Sequence, residues 1–167
     1  MAEFMFATGI ECSYPTIDAG RWRIDQLKET KHYENWKRDL ELVRELGLRY
    51  LRYGPPLHLI FQRPGKYDWT FTDKVCEAMQ RLQIVPIMDL CHFGVPDWLE
   101  NFQNREVPER LSEYAAAFAQ RYSWVKFYTP ANEMYVNHDR QTSCRHRRCS
   151  WRSACSKSPL TKTVAAK

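Results

Sequence analysis

Four side chains in this sequence stand where chemistry is done: Arg52, His92, Asn132 and Glu133. Glu133 closes the run Trp124-Val-Lys-Phe-Tyr-Thr-Pro-Ala-Asn132-Glu133, a strand-like segment that ends in a carboxyl group. The C-terminal end of a parallel strand is where α/β barrels place their reactive groups. A Glu there suits glycoside hydrolysis, in which a poor leaving oxygen needs a proton from a carboxylic acid. Asn132 beside it suits a hydrogen bond to a sugar hydroxyl that tightens in an oxocarbenium-like transition state. His92 is placed to bind a further hydroxyl, and Arg52 to hold a neighbouring carboxylate ionised through a charge-assisted pair. Trp69, Phe93 and Trp98 are candidate platforms for a sugar face.

Each residue also has a plainer reading. An Asn-Glu pair is common on any protein surface, and a histidine after a strand often just satisfies loop backbone. Arg52 serves equally well as half of a structural ion pair. Glu11 and Asp89 read as structural, Trp36 as core, and Trp69 as an apolar plug before a helix. What favours chemistry is position. Polar groups follow each of four apolar runs, and in a barrel those ends converge on one cleft.

The elements that must do this positioning are legible as an alternating pattern. Apolar runs at 4–10, 48–53, 84–90 and 124–129 predict four strands. Their near-continuous apolar character suits parallel strands covered on both faces. Between them, Trp36, Leu40, Val43 and Leu46 recur at helical spacing over 33–46, with Gly47 as a stop. Thr72 or Asp73 is a candidate cap for a helix to about residue 82, burying Val75, Cys76, Met79 and Leu82. Pro108 opens a third helix to about residue 122, with Leu111, Tyr114, Ala115, Phe118 and Tyr122 on one face. The β-α-β-α-β-α-β order allows a doubly wound sheet or part of a (β/α) barrel. No Gly-x-Gly-x-x-Gly or Walker-type loop follows a strand, which argues against a nucleotide fold.

Charge divides the chain. Residues 1–136 hold 17 Lys+Arg against 19 Asp+Glu, or −2; residues 137–167 hold 8 against 1, or +7. The body therefore gives no reason to expect nucleic acid, and only the tail does. No stretch approaches the roughly 18 apolar residues of a membrane span. The first residues lack a positive n-region, so a cytoplasmic protein is the default expectation. Cys12, Cys76 and Cys91 lie beside apolar segments and read as buried free thiols.

Taken together, these stretches resemble the family 1 glycoside hydrolases, the β-glucosidase-like branch of the (β/α)8 glycosidase clan. The resemblance covers about residues 4–136, in the right order. Phe6-Ala-Thr-Gly9 resembles the family's Phe-x-x-Gly opening, and Glu45-Leu-Gly-Leu-Arg-Tyr-Leu-Arg52-Tyr53 its Glu-Leu-Gly-x-x-x-Tyr-Arg-Phe segment. Ile84 to Pro96 resembles its Pro-x-x-x-Leu-x-His-Trp-Asp-Leu-Pro segment, and Tyr128-Thr-Pro-Ala-Asn132-Glu133 its Trp-x-Thr-x-Asn-Glu-Pro signature. The resemblance implies the first four βα units of a TIM (β/α)8 barrel and retaining hydrolysis of a β-glycoside without a cofactor or metal. It also implies that Glu133 is the general acid/base, that Asn132 and His92 contact the sugar, and that Arg52 supports the nucleophile. Phe93 and Met134 depart from the family's Trp and Pro, and Thr16 stands nearest its first sugar-binding Gln.

A retaining pair needs a second carboxylate about 5 Å from the first. By the resemblance it belongs to a seventh strand, and four strands are predicted here. The expectation is therefore a truncated glycosidase-like chain, inactive alone, whose first and fourth strand edges invite self-association. Residues 137–167 form a basic tail with no periodicity, read as a shifted frame, a disordered tail, or a metal site from Cys144, His146, Cys149 and Cys155. The competing functions are a non-catalytic carbohydrate-binding or interaction module and a basic-tailed nucleic-acid binder.

Overall fold

The computed structural model describes residues 5–17 and 22–133. The expectations for the tail at 137–167 lie outside the described residues, as do Phe4 of the first predicted strand and Met134.

In chain order the elements are β1 (Ala7–Gly9), β2 (Thr16–Ile17), β3 (Trp22–Arg23), α1 (Gln26–Glu29), α2 (His32–Glu45), β4 (Tyr50–Tyr53) and α3 (Leu57–Ile60). They continue with β5 (Phe61–Arg63), β6 (Lys66–Tyr67), α4 (Thr70–Arg81), β7 (Val85–Asp89), a 3-10 turn (Asp97–Leu99), α5 (Val107–Arg121) and β8 (Phe127–Thr129). All four predicted strands are present, each shorter than its apolar run. They form one parallel sheet in the order β1-β4-β7-β8. Two small antiparallel pairs, β2-β3 and β5-β6, branch from the connections.

The three long helices follow their predicted periodicity. On α5, Leu111, Tyr114 and Phe118 are buried, and Tyr122 follows at its C-cap. Truncating a buried aromatic such as Phe118 typically costs about 3–5 kcal/mol. On α4, Val75, Cys76 and Met79 face the core as expected. Its start differs from expectation: Trp69 holds the cap position, while Thr72 is already helical and fully buried. Asp68 Oδ1 accepts from Thr70 N–H at 3.0 Å, and Asp73 turns outward to bind Arg121 and Tyr122 of the α5 end. Both Asp73 and Thr72 were thus recruited by tertiary packing instead of capping.

On α2, Leu40 and Val43 are buried and Trp36 packs edge-on against Phe71. Leu46, expected inward, is 70% exposed. It is the C-cap, where helical phase no longer sets side-chain direction. Gly47 follows at φ 73°, the left-handed conformation that ends helices and favours glycine.

The sheet is not covered equally on its two faces. Leu51, Tyr53 and Met88 are fully buried, whereas Tyr50, Arg52, Val85 and Ile87 on the opposite face are half-buried and Phe127 is 37% exposed. The expectation of strands buried on both faces is corrected accordingly. Helices cover one face, and the apolar residues of the other lack a full layer over them among the described residues.

Candidate active site at the strand ends

The site grows from the register of the parallel strands. Gly9, Arg52, Ile87 and Phe127 lie side by side in one row across the sheet. Residues two positions along a neighbouring strand are its diagonal neighbours, within reach of a long side chain. Arg52 therefore reaches Asp89, the last residue of β7. Its guanidinium donates to Asp89 Oδ2 at 2.5 Å and to Asn132 Oδ1 at 2.5 Å. His92 Nδ1 lies 3.1 Å from the same Asp89 oxygen. Four residues from three strand ends thus form one network.

Backbone contacts hold the loops that carry them. Asn132 N–H donates to Cys91 O at 2.9 Å, tying the loop after β8 to the loop after β7. Tyr14 N–H donates to His92 O at 3.0 Å, which joins the loop after β1 to the same point. Two glycines permit these approaches. A Cβ on Gly54 would strike Cys12 and come within 3.3 Å of Asp89 O, and one on Gly94 would strike the Tyr14 backbone.

Burial grades across the network. The Asp89 side chain is inaccessible, His92 is 12% exposed and Arg52 39%. Asn132 is buried, while Glu133 is exposed and adopts φ 43°. Among the described residues Glu133 makes no hydrogen bond or ion pair. The structure therefore brings together Arg52, His92 and Asn132 of the predicted set, with Glu133 adjacent in sequence to the network. Phe93 stands beside His92 with ring centroids 5.0 Å apart. Trp98 is committed to packing instead of to a cleft wall: its indole N–H donates to Phe61 O at 2.7 Å, edge-on to the Phe61 ring. Trp69 behaves as the expected plug, stacked between Tyr67 and Tyr114.

Two members of the neighbourhood carry sequence expectations of a structural or buried role only, Asp89 and Cys12. Asp89, expected to be structural, is the hub of the network. The sequence carried a signal for this, a carboxylate closing an apolar strand three residues before a histidine. Cys12 is partly accessible and sits 3.3 Å from His92 Nδ1. Burial, then the nearby Asp89 carboxylate, pushes its thiol up to about 12, so it is not a thiolate nucleophile at neutral pH. Cys76 and Cys91 are buried free thiols, as expected. Glu11 keeps its carboxyl below the usual range: burial opposes this, but hydrogen bonds from Ser13 outweigh it.

A second polar cluster flanks the first. His58 Nε2 lies 3.0 Å from Asp25 Oδ2, and Tyr33 O–H donates to that oxygen at 2.8 Å. The Tyr14 ring stacks on His58 at 3.8 Å. A cavity of about 10 Å³, roughly one water in size, lies between the clusters and is lined by Cys12, Tyr14, His58, Asp89 and His92 among others.

Residues 23–146 match the profile of glycosyl hydrolase family 1. The chain belongs to that family. Among curated relatives, it is 30% identical over 119 residues to the aryl-phospho-β-D-glucosidase BglA of Bacillus subtilis, covering 63% of this chain and 25% of that protein. It is 27% identical over 117 residues to the 6-phospho-β-glucosidase AscB of Escherichia coli, covering 64% and 25%. A solved family 1 β-glucosidase from Thermotoga maritima superposes with a TM-score of 0.59 at 24% identity, covering 64% of this chain and 26% of that one. The fold is therefore that of a partial TIM barrel. The chain spans about a quarter of the length of the curated relatives it matches.

Proposed function

We propose that this chain carries the acid/base side of a retaining O-glycoside hydrolase site. Glu133 is the general acid/base, Asn132 and His92 contact the sugar, and Arg52 supplies positive charge at the cleft floor. The observation that carries the reading is the convergence of Arg52, Asp89, His92 and Asn132 on one end of a parallel sheet, with Glu133 next in the chain. In such a site Glu133 would protonate the leaving oxygen and later deprotonate the incoming water. The substrate class is a β-glycoside, in keeping with relatives named as β-glucosidases and phospho-β-glucosidases.

The same geometry argues that the chain alone turns over little. Retention requires a second carboxylate about 5 Å from the acid/base. Among the described residues at these strand ends, Asp89 is fully buried and bound by Arg52, so it cannot attack a sugar, and the Glu11 carboxylate after β1 is engaged by Ser13 N–H. Glu133 is exposed and, among the described residues, stands outside the Arg52–Asp89–His92–Asn132 network. The test is turnover of an aryl β-glucoside and an aryl 6-phospho-β-glucoside by the full chain. Rates at background, equal in Glu133→Gln, are expected. Turnover that Glu133→Gln abolishes overturns the claim of inactivity.

A second reading, sugar binding without hydrolysis, is favoured by one observation. Among the described residues, the proposed sugar contacts His92 and Asn132 are joined through Asp89 and Arg52 in one network, whereas Glu133 lies outside it. Binding of either glucoside that is lost in His92→Gln supports it, and absence of binding to both overturns it.

A further inference from the structure

We infer that Asp89 fixes His92 in the Nδ1–H tautomer, so that the ring offers Nε2 to a ligand as a hydrogen-bond acceptor. Two side chains crowd the same ring nitrogen, Asp89 Oδ2 at 3.1 Å and Cys12 Sγ at 3.3 Å. They make opposite demands. A carboxylate oxygen accepts and needs the proton on Nδ1, whereas a thiol that donates to Nδ1 needs the lone pair there.

Asp89 prevails for three reasons. Its Oδ2 already accepts from Arg52, and a guanidinium is a donor only, so that oxygen is committed as an acceptor. Its side chain is inaccessible to water, which strengthens the electrostatic part of the N–H···O contact. A thiol is a weak donor and competes poorly with a charge-assisted bond. A neutral imidazole carries one N–H, so a proton on Nδ1 leaves the lone pair on Nε2. A sugar hydroxyl meeting His92 then has to donate to it. Asp89 is thus a positioning residue, which sets the polarity of a contact it does not make itself. Only the ligand consequence rests on the proposed role of His92; the tautomer does not.

The same atoms suggest a rival. Cys12, Asp89 and His92 offer ligand atoms within 4.8 Å of one another, close enough to hold a metal ion. A cation there would displace the Nδ1 proton and share Asp89 with the positively charged Arg52.

Long-range ¹H–¹⁵N NMR of the ring nitrogens in the full chain, at a pH where the ring is neutral, decides the matter. The peaks are assigned by their loss in His92→Gln. A protonated Nδ1 and unprotonated Nε2 are expected, with that preference lost in Asp89→Asn and kept in Cys12→Ala. An Nε2–H tautomer in the wild type, or one that switches in Cys12→Ala, overturns the inference. So does equimolar Zn²⁺ that removes the Nδ1 proton and survives dialysis. If Asp89→Asn does not fold, the wild type and Cys12→Ala still decide. Titration with methyl β-glucoside and its 6-phosphate is a separate arm. A shift of the Nε2 signal supports the acceptor role. No shift with either sugar sinks the sugar-contact reading of His92 and leaves the tautomer result standing.

Discussion

Arg52 is the charge on which the strand-end network depends. It compensates Asp89, which is buried at the end of β7, and it orients Asn132 through Oδ1. Removing one partner of a fully buried pair costs about 3–5 kcal/mol, because the other charge is left without compensation. Arg52 is partly exposed, so a loss of about 2–3 kcal/mol is expected for Arg52→Met, measured by urea unfolding. Adding Asp89→Asn should restore much of it, since the stranded charge is then gone. A loss below about 1 kcal/mol for Arg52→Met would mean that the pair behaves as an exposed surface contact. The sequence made Arg52 a candidate partner for a carboxylate. It did not show which one, because that choice follows from strand register: Arg52 aligns with Ile87, which makes Asp89 its diagonal neighbour.

At the scale of elements, the long helices were legible because each buries one stripe at a 3.6-residue period. The short pieces were not. α1, α3 and the two small antiparallel strand pairs are too brief to carry a period, and tertiary contacts place the two short helices. Asp25 shows how. It caps α1 by accepting from Leu27 and Lys28 N–H, and it also binds His58 from α3 and Tyr33 from α2. Burial pushes its carboxyl up, but the hydrogen bonds from His58 and Tyr33 outweigh this and leave it below its ordinary value of 3.8. A carboxyl lowered in the folded state contributes stability above its unfolded value and loses it as pH falls through the folded one. The midpoint of urea unfolding should therefore drop as pH falls below about 4, and Asp25→Asn should flatten that part of the profile. An unchanged acid limb in Asp25→Asn would show that Asp25 is not linked to folding.

At the scale of the whole molecule, the sheet has two outer edges, β1 and β8, and among the described residues no strand pairs with the outer side of either. Met5 and Phe6 before β1, and Phe127 in β8, are exposed apolar side chains. Beside β1 runs a groove of about 270 Å³, bordered by Ile10, Leu42, Val43 and Leu46 together with the carboxylates Glu11 and Asp39. Open edges with apolar neighbours template association with other chains, and a lysine on the edge suppresses it. The full chain should show concentration-dependent association in sedimentation velocity, reduced in Phe127→Lys. A monomer at every concentration tested would remove the edges as an assembly surface. Among the described residues, no helix is long and apolar enough to cross a membrane.

The sequence by itself determined the alternation of strands and helices, the inward faces of α2, α4 and α5, and the candidates Arg52, His92, Asn132 and Glu133. These are local properties, set by side-chain period and by the order of motifs along the chain. Only the tertiary structure decided that Asp89 is the hub, that Cys12 reaches His92, that Trp98 belongs to packing, and that one sheet face stays partly open. Those outcomes depend on parallel register and on loops meeting across 37 to 80 residues of chain. Separations of that size leave no trace in local spacing, because the contacts exist only once the strands are side by side.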